Sequence, residues 1–205
     1  MDAPRLGTRE RDERNSFKMP SHLKLGNFAG TKFEQFDKIE KYEGSSMNVH
    51  SDHLFDPSLT YEIIPWIKEK SGLPVIVKGI LRPDDAAQAL RSGADGIMIS
   101  NHGGRQLDTA VPTLKQIEPI RKEVGEEVMI IVDGGIRRGT DILKCLALGA
   151  NAVQIGRPLL WGLHHDGQKG VELVLDILRK ELMEAMILTG CRNIKEITRD
   201  LVTAV

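Results

Sequence analysis

The chain has 205 residues, 40% of them hydrophobic and 4% aromatic, with a formal net charge of −1. That length supports one sizeable core, and a charge so near zero gives no electrostatic argument for nucleic acid or an acidic membrane as partner. Two cysteines, Cys145 and Cys191, are too few for a disulfide framework and read as buried thiols in a reducing compartment.

Residues 1–56 are polar and rich in Arg, Asp, Glu, Gly and Ser, and are expected to form a long loop; residues 57–205 are expected to form the folded domain. Within that domain, Leu59 to Lys70 has a helical pattern. Four short apolar runs then read as buried parallel strands: Val75-Ile76-Val77-Lys78, Gly96-Ile97-Met98-Ile99-Ser100, Val128-Met129-Ile130-Ile131-Val132 and Ala152-Val153-Gln154-Ile155. None alternates polar with apolar residues, so both faces of the sheet are expected to be covered. Helical patterns separate the runs. Pro83 to Leu90 starts with a proline and two aspartates suited to a first turn, Thr113 to Val124 carries Leu114, Ile117 and Ile120 at helical spacing, and Thr140 to Leu148 stops at a capping Gly149. Gly170 to Leu188 and Ile194 to Leu201 read as the last two helices.

Repeated βα units suggest a (β/α)8 barrel or a doubly wound sheet. No glycine-rich dinucleotide fingerprint follows the first strand, which disfavours the second. A full barrel takes about 250 residues and eight strands, so four strands fit the C-terminal half of a TIM barrel, with a self-contained open sheet as the other option. No run of ~18 apolar residues predicts a membrane span. The charged start has no signal-peptide core and the last residues, Leu201 to Val205, are not a Ser-Lys-Leu signal, so an intracellular protein, peroxisomal or cytoplasmic, is expected.

The chemistry gathers where the strands end. Ser100-Asn101-His102-Gly103-Gly104-Arg105-Gln106-Leu107-Asp108 follows the second run. It places an imidazole that can take a proton and a guanidinium that can hold a carboxylate at the C-terminal end of a strand. Lys78 ends the first run, where a buried charge is costly unless it faces an anionic ligand. Asp133-Gly134-Gly135-Ile136-Arg137-Arg138-Gly139-Thr140 follows the third run and Gly156-Arg157-Pro158 the fourth. Glycines, backbone N–H groups and arginines at successive strand ends suit a phosphate. No His, Asp or Glu stands at a metal-ligand spacing from His102, and His164-His165 diverge on a helix, so no metal is expected.

The run at 100–108 resembles the signature of the FMN-dependent 2-hydroxy acid oxidases and dehydrogenases, a family that includes glycolate oxidase. The blocks Leu73 to Leu81, Val132 to Asp141, Leu146 to Ala150, Ile155 to Pro158 and Leu188 to Arg192, and the start Asp2 to Arg9, resemble further family blocks in family order. The resemblance covers nearly the whole chain and the second half of a family member. It implies that His102 is the base acting on the substrate alcohol or its α-carbon, with Asp2 holding the other imidazole nitrogen. Arg105 and Arg9 would clamp the substrate carboxylate, a planar anion suited to the guanidinium fork. Lys78 would stand near flavin N1–C2=O and Ser100 would touch the isoalloxazine. Asp133, Gly134, Gly135, Arg137, Gly156 and Arg157 would hold ribityl and phosphate.

The implied activity is FMN-dependent oxidation of a small (S)-2-hydroxy acid to a 2-oxo acid, with oxygen as acceptor. The partners implied are the small-molecule substrate and a second copy or another protein covering the barrel edges, with neither nucleic acid nor membrane. Two other readings stand beside it. One is an inactive truncated half-barrel that needs a partner or an N-terminal half. The other is a different phosphate-binding barrel enzyme such as a nucleotide dehydrogenase, against which the chain offers no catalytic cysteine loop, since Cys145 lies in a predicted helix.

Overall fold

The computed structural model describes residues 6–18, 20–23, 26–31 and 55–203. These fall into two compact units, one ending at Leu59 and one beginning at Thr60. The first carries a short helix, α1 (Glu10–Arg14), in which the ion pair Arg14–Glu10 closes one turn at 2.7 Å, and a 3-10 turn at Gly26–Phe28.

The second unit begins with α2 (Ile63–Ser71) and continues through β1 (Ile76–Ile80), α3 (Pro83–Arg91), β2 (Gly96–Ile99), α4 (Ile117–Val124), β3 (Met129–Val132), α5 (Gly139–Ala147), β4 (Ala152–Val153) and α6 (Arg157–Leu188). The strands form one parallel sheet in the order β1-β2-β3-β4. Each follows its neighbour through a helical crossover, as parallel pairing requires.

One face of this sheet is the core. Val77, Ile97, Ile99, Ile130 and Val132 pack with Ile64 of α2, Ala86 and Ala89 of α3, Ile117 and Ile120 of α4 and Cys145 of α5. The two alanines are fully buried, and their small side chains let α3 lie close on the strands. On the opposite face, Ile76 and Met129 are 41% and 44% exposed. The expectation that both faces are covered therefore fails at these two positions but holds at β2, where Met98 on the same face is 8% exposed. An apolar run without alternation shows which residues tolerate burial, not what lies against them.

The lower end of the sheet repeats a device. Gly93-Ala94-Asp95 precedes β2 and Gly149-Ala150-Asn151 precedes β4. In each, a helix ends on a glycine at positive φ, +97° and +105°, which only glycine adopts without cost. The next-but-one residue pairs with the neighbouring strand at both backbone groups. Asp95 N–H donates to Val75 O and its carboxylate accepts from Val75 N–H, each at 2.8 Å; Asn151 makes the same two bonds with Ile130, also at 2.8 Å. A cation from the helix before the partner strand completes each: Lys68 of α2 on Asp95 and Arg121 of α4 on Asn151, both at 2.7 Å.

Two helical segments depart most from the sequence reading. Gly156-Arg157-Pro158 opens a helix, because Pro158 suits a first turn. α6 therefore starts 13 residues before the predicted Gly170 and breaks at Asp166 and Gly167, where the dihedral angles leave the helical region (φ −151° and +53°). After the break the chain folds back so closely that Gly162 and Gly170 touch: a Cβ on Gly170 would lie 1.8 Å from Gly162 O. The predicted Ile194–Leu201 helix is two 3-10 turns, Ile194–Glu196 and Arg199–Leu201, parted by extended Ile197.

Candidate active site

The loops that leave the four strand C-termini border one cleft of about 240 Å³. Lys78 comes from β1, His102, Gly103 and Arg105 from the turn after β2, Asp133 to Arg137 from the loop after β3, and Gln154 to Arg157 with Leu160 from β4 and the first turn of α6. The catalytic end of a parallel α/β fold is this end.

A β-bulge sets Lys78. The register runs from Lys78 opposite Met98 to Ile80 opposite Ile99, so Gly79, at φ +95°, is the extra residue. Bulges re-aim side chains next to active sites. Lys78 Nζ lies 3.7 Å from Asp133 Oδ2, with the carboxylate side chain only 16% exposed. The other oxygen, Asp133 Oδ1, is buried without a hydrogen-bond partner.

The turn after β2 is built on three successive residues at positive φ: His102 (+55°), Gly103 (+64°) and Gly104 (+72°). Two side chains hold it. Ser100 is fully buried and its Oγ accepts from His102 N–H at 3.1 Å. Asn101 Oδ1 accepts from Gly104 N–H at 3.3 Å, while Asn101 Nδ2 donates to Val111 O at 3.3 Å. Arg157 reaches across from α6 and donates from Nη2 to Gly103 O at 3.1 Å.

The loop after β3 is tied to that turn from behind. Thr113, 4% exposed, donates its hydroxyl to Asp133 O at 2.6 Å. A Cβ on Gly134, at φ +96°, would meet Thr113 Oγ1 at 3.1 Å and Asn101 Oδ1 at 3.2 Å, so a side chain here would be strained and would press on both. Asp141, at the third position of α5, accepts from the backbone N–H groups of both Arg137 and Arg138 at 3.0 Å. The Arg137 guanidinium donates to Ile136 O at 3.0 Å and lies 5.1 Å from the centroid of the Trp161 ring.

Of the residues singled out in the sequence, Lys78, His102, Arg105, Asp133, Gly134, Gly135, Arg137, Gly156 and Arg157 all border the cleft. Ser100 lies beneath it as a support. Arg9 stands at the head of α1 in the N-terminal unit, where its carbonyl accepts from Glu13 N–H. Asp2 lies outside the described residues. Thr113, Asn101, Gln154, Leu160 and Trp161 were given no role at the site by the sequence reading. Among the described residues no group of acidic, histidine or cysteine side chains could hold a metal ion, and no helix is long and apolar enough to cross a membrane.

The fold and cleft define a parallel α/β domain with an arginine- and glycine-lined cleft at the C-terminal ends of its strands, and comparison with known proteins gives its family. The family model for FMN-dependent dehydrogenases matches residues 1–204, and the chain belongs to that family. It is 45% identical over 202 residues to 2-Hydroxyacid oxidase 1 of Mus musculus, covering 98% of this chain and 55% of the relative. It is 48% identical over 202 residues to the 2-Hydroxyacid oxidase of Dictyostelium discoideum, covering 98% of this chain and 50% of the relative. Mandelate oxidase solved with (S)-4-hydroxymandelic acid superposes with a TM-score of 0.89 at 40% identity, over 97% of this chain and 55% of that one. The chain thus spans about half the length of the relatives it matches, and its four strands are half of a (β/α)8 barrel.

FMN is the cofactor for which the family is named, and the cleft suits it. Asp133 Oδ1 is an acceptor awaiting a donor such as a ribityl hydroxyl. A Cβ on Gly135 or Gly156 would meet nothing within 4 Å, so the backbone at both positions borders open space in the cleft that Arg137 and Arg157 also line. Hydroxyl-rich chain and phosphate are the chemistry that such donors and acceptor recognise.

Proposed function

We propose that this chain carries the proton-transfer and anion-binding machinery for oxidising a small (S)-2-hydroxy acid to a 2-oxo acid, with oxygen as the final acceptor. The observation that carries the reading is the convergence of Lys78, His102, Arg105 and Asp133 on one cleft at the strand C-termini. FMN, when bound, supplies the acceptor for the electron pair that leaves the substrate.

His102 is the base that takes a proton from the substrate hydroxyl or its α-carbon. Its backbone is pinned by Ser100 and its turn by Asn101, so little reorganisation accompanies the transfer. Arg105 binds the substrate carboxylate; the family resemblance would add Arg9 to that clamp and Asp2 as the partner of the imidazole. Lys78, beside Asp133, stabilises negative charge that develops on the cofactor ring. Asp133, Gly134, Gly135, Arg137, Gly156 and Arg157 hold ribityl and phosphate. The relatives are named for glycolate, L-lactate and generic 2-hydroxy acids, which makes glycolate and (S)-lactate the first substrates to try. We place this activity inside the cell, in peroxisome or cytoplasm.

The half exposure of Ile76 and Met129 favours a second reading, in which the same groups act only after another protein surface closes the sheet. One measurement separates the two. The purified chain is mixed with FMN, cleared of free flavin and given glycolate or (S)-lactate without oxygen. Bleaching of the bound flavin is expected, and His102→Ala slows it about 10²- to 10⁴-fold with the flavin retained. A chain that rejects FMN overturns unaided activity, and an unchanged rate in the variant removes His102 from the mechanism.

A further inference from the structure

Trp161 is a large apolar ring left 56% exposed on the helix that carries two of the residues bordering the cleft, Arg157 and Leu160. It follows Arg157 by four residues, so the two share a helix face. Its ring centroid is 5.1 Å from Arg137 Cζ, inside the ~6 Å range over which a ring face attracts a cation. Arg137 enters from a different element, the loop after β3, where Asp141 fixes its backbone N–H. Its long side chain is otherwise held by one bond to its own neighbour's carbonyl.

We propose that Trp161 is the positioning residue of the phosphate subsite, its indole holding the Arg137 guanidinium where that group can meet an anion beside the start of α6. The inference rests on the FMN reading given above. Guanidinium chemistry supports the role. The N–H donors of arginine lie in the plane of the group, whereas an aromatic ring engages its face. A cation–π contact made through the face restricts the side chain without using donors that a phosphate needs.

FMN and riboflavin differ by the phosphate alone, so their dissociation constants isolate the subsite. Both are measured by flavin fluorescence with the whole chain, its Trp161→Leu and Trp161→Phe variants, and the same Leu substitution in an Arg137→Ala background. Trp161→Leu is expected to weaken FMN roughly two- to fivefold and leave riboflavin unchanged, with Trp161→Phe retaining most of the preference. Without Arg137 the Leu substitution should have no further effect on the ratio, because coupled residues are non-additive. Equal weakening of both flavins, or an effect that persists without Arg137, overturns the positioning role. A parent chain that binds FMN while Trp161→Leu binds it equally overturns this inference alone. A parent chain that binds neither flavin overturns the FMN reading and this inference with it.

Discussion

At φ +55° His102 adopts a left-handed conformation that costs a residue with a Cβ about 1–2 kcal/mol. Glycine would relieve the strain, yet only the imidazole can move a proton, so local stability and chemistry compete at this position. Replacing His102 by glycine should give a chain more stable than His102→Ala by about 0.5–1 kcal/mol, after allowing for the greater unfolded-state freedom of glycine. Urea midpoints of the two variants check this, and equal midpoints would show that the turn relaxes without the histidine. His102 and Arg105 were legible because a titratable group and a guanidinium beside glycines at a strand end have few structural uses. Thr113 and Trp161 were not. The bond from Thr113 to Asp133 O spans 20 residues of sequence, and nothing local in a Pro-Thr pair or a Trp-Gly pair indicates where its partner stands.

Arg121 shows what an element owes to one side chain. It is 7% exposed, and burial, opposed by the charge of Glu126, lowers its pKa. Its guanidinium donates to Gly149 O at 2.9 Å, Gly125 O at 2.6 Å, Val128 O at 2.9 Å and Asn151 Oδ1 at 2.7 Å. These acceptors lie where α4 ends and where β3 and β4 begin, so one residue fixes the entry of two strands. Arg121→Met should cost about 3–5 kcal/mol, since it leaves several buried acceptors without donors; a loss under about 1 kcal/mol in urea unfolding would mean that water replaces the fork. Lys68 serves the corresponding site at β1 and β2 with a more exposed pair, and its loss should matter less. The strands themselves were legible from apolar runs, and the twin Gly-Ala-Asx segments were also present in the sequence. The early start of α6 was not legible, because its opening residues also read as a phosphate loop.

The same element scale governs pH behaviour. Burial pushes the Cys145 thiol, on the core side of α5, up to about 12 from an ordinary 9.0. Below pH 9 the thiol is protonated in folded and unfolded chains alike, and its contribution to stability is constant. Between about 9 and 12 the unfolded chain loses the proton first, so stability should fall as pH rises, at up to about 1.4 kcal/mol per unit. Cys145→Ala should flatten that part of the unfolding profile. A profile identical to the parent's would show that the thiolate carries no such penalty.

For the whole molecule, the question is what a half-barrel gains from its sheet. Ile97 and Ile130 are fully buried against helices, whereas Ile76 and Met129 lie on the open face, beside edge strands β1 and β4 that have no described neighbour on one side. If the core is one-sided, burial energy differs by face. Ile97→Thr or Ile130→Thr removes apolar contact and buries a hydroxyl, which should cost about 2–4 kcal/mol. Ile76→Thr or Met129→Thr should change stability by about 0.5 kcal/mol or less, as exposed substitutions do. Urea unfolding of the four variants at several protein concentrations decides the matter. A large, concentration-dependent loss for Ile76→Thr would mean that the open face is covered in solution by another copy of the chain. A large loss independent of concentration would mean that the chain covers the face itself. In either case the cleft would be bounded by more than the four strand ends that border it here.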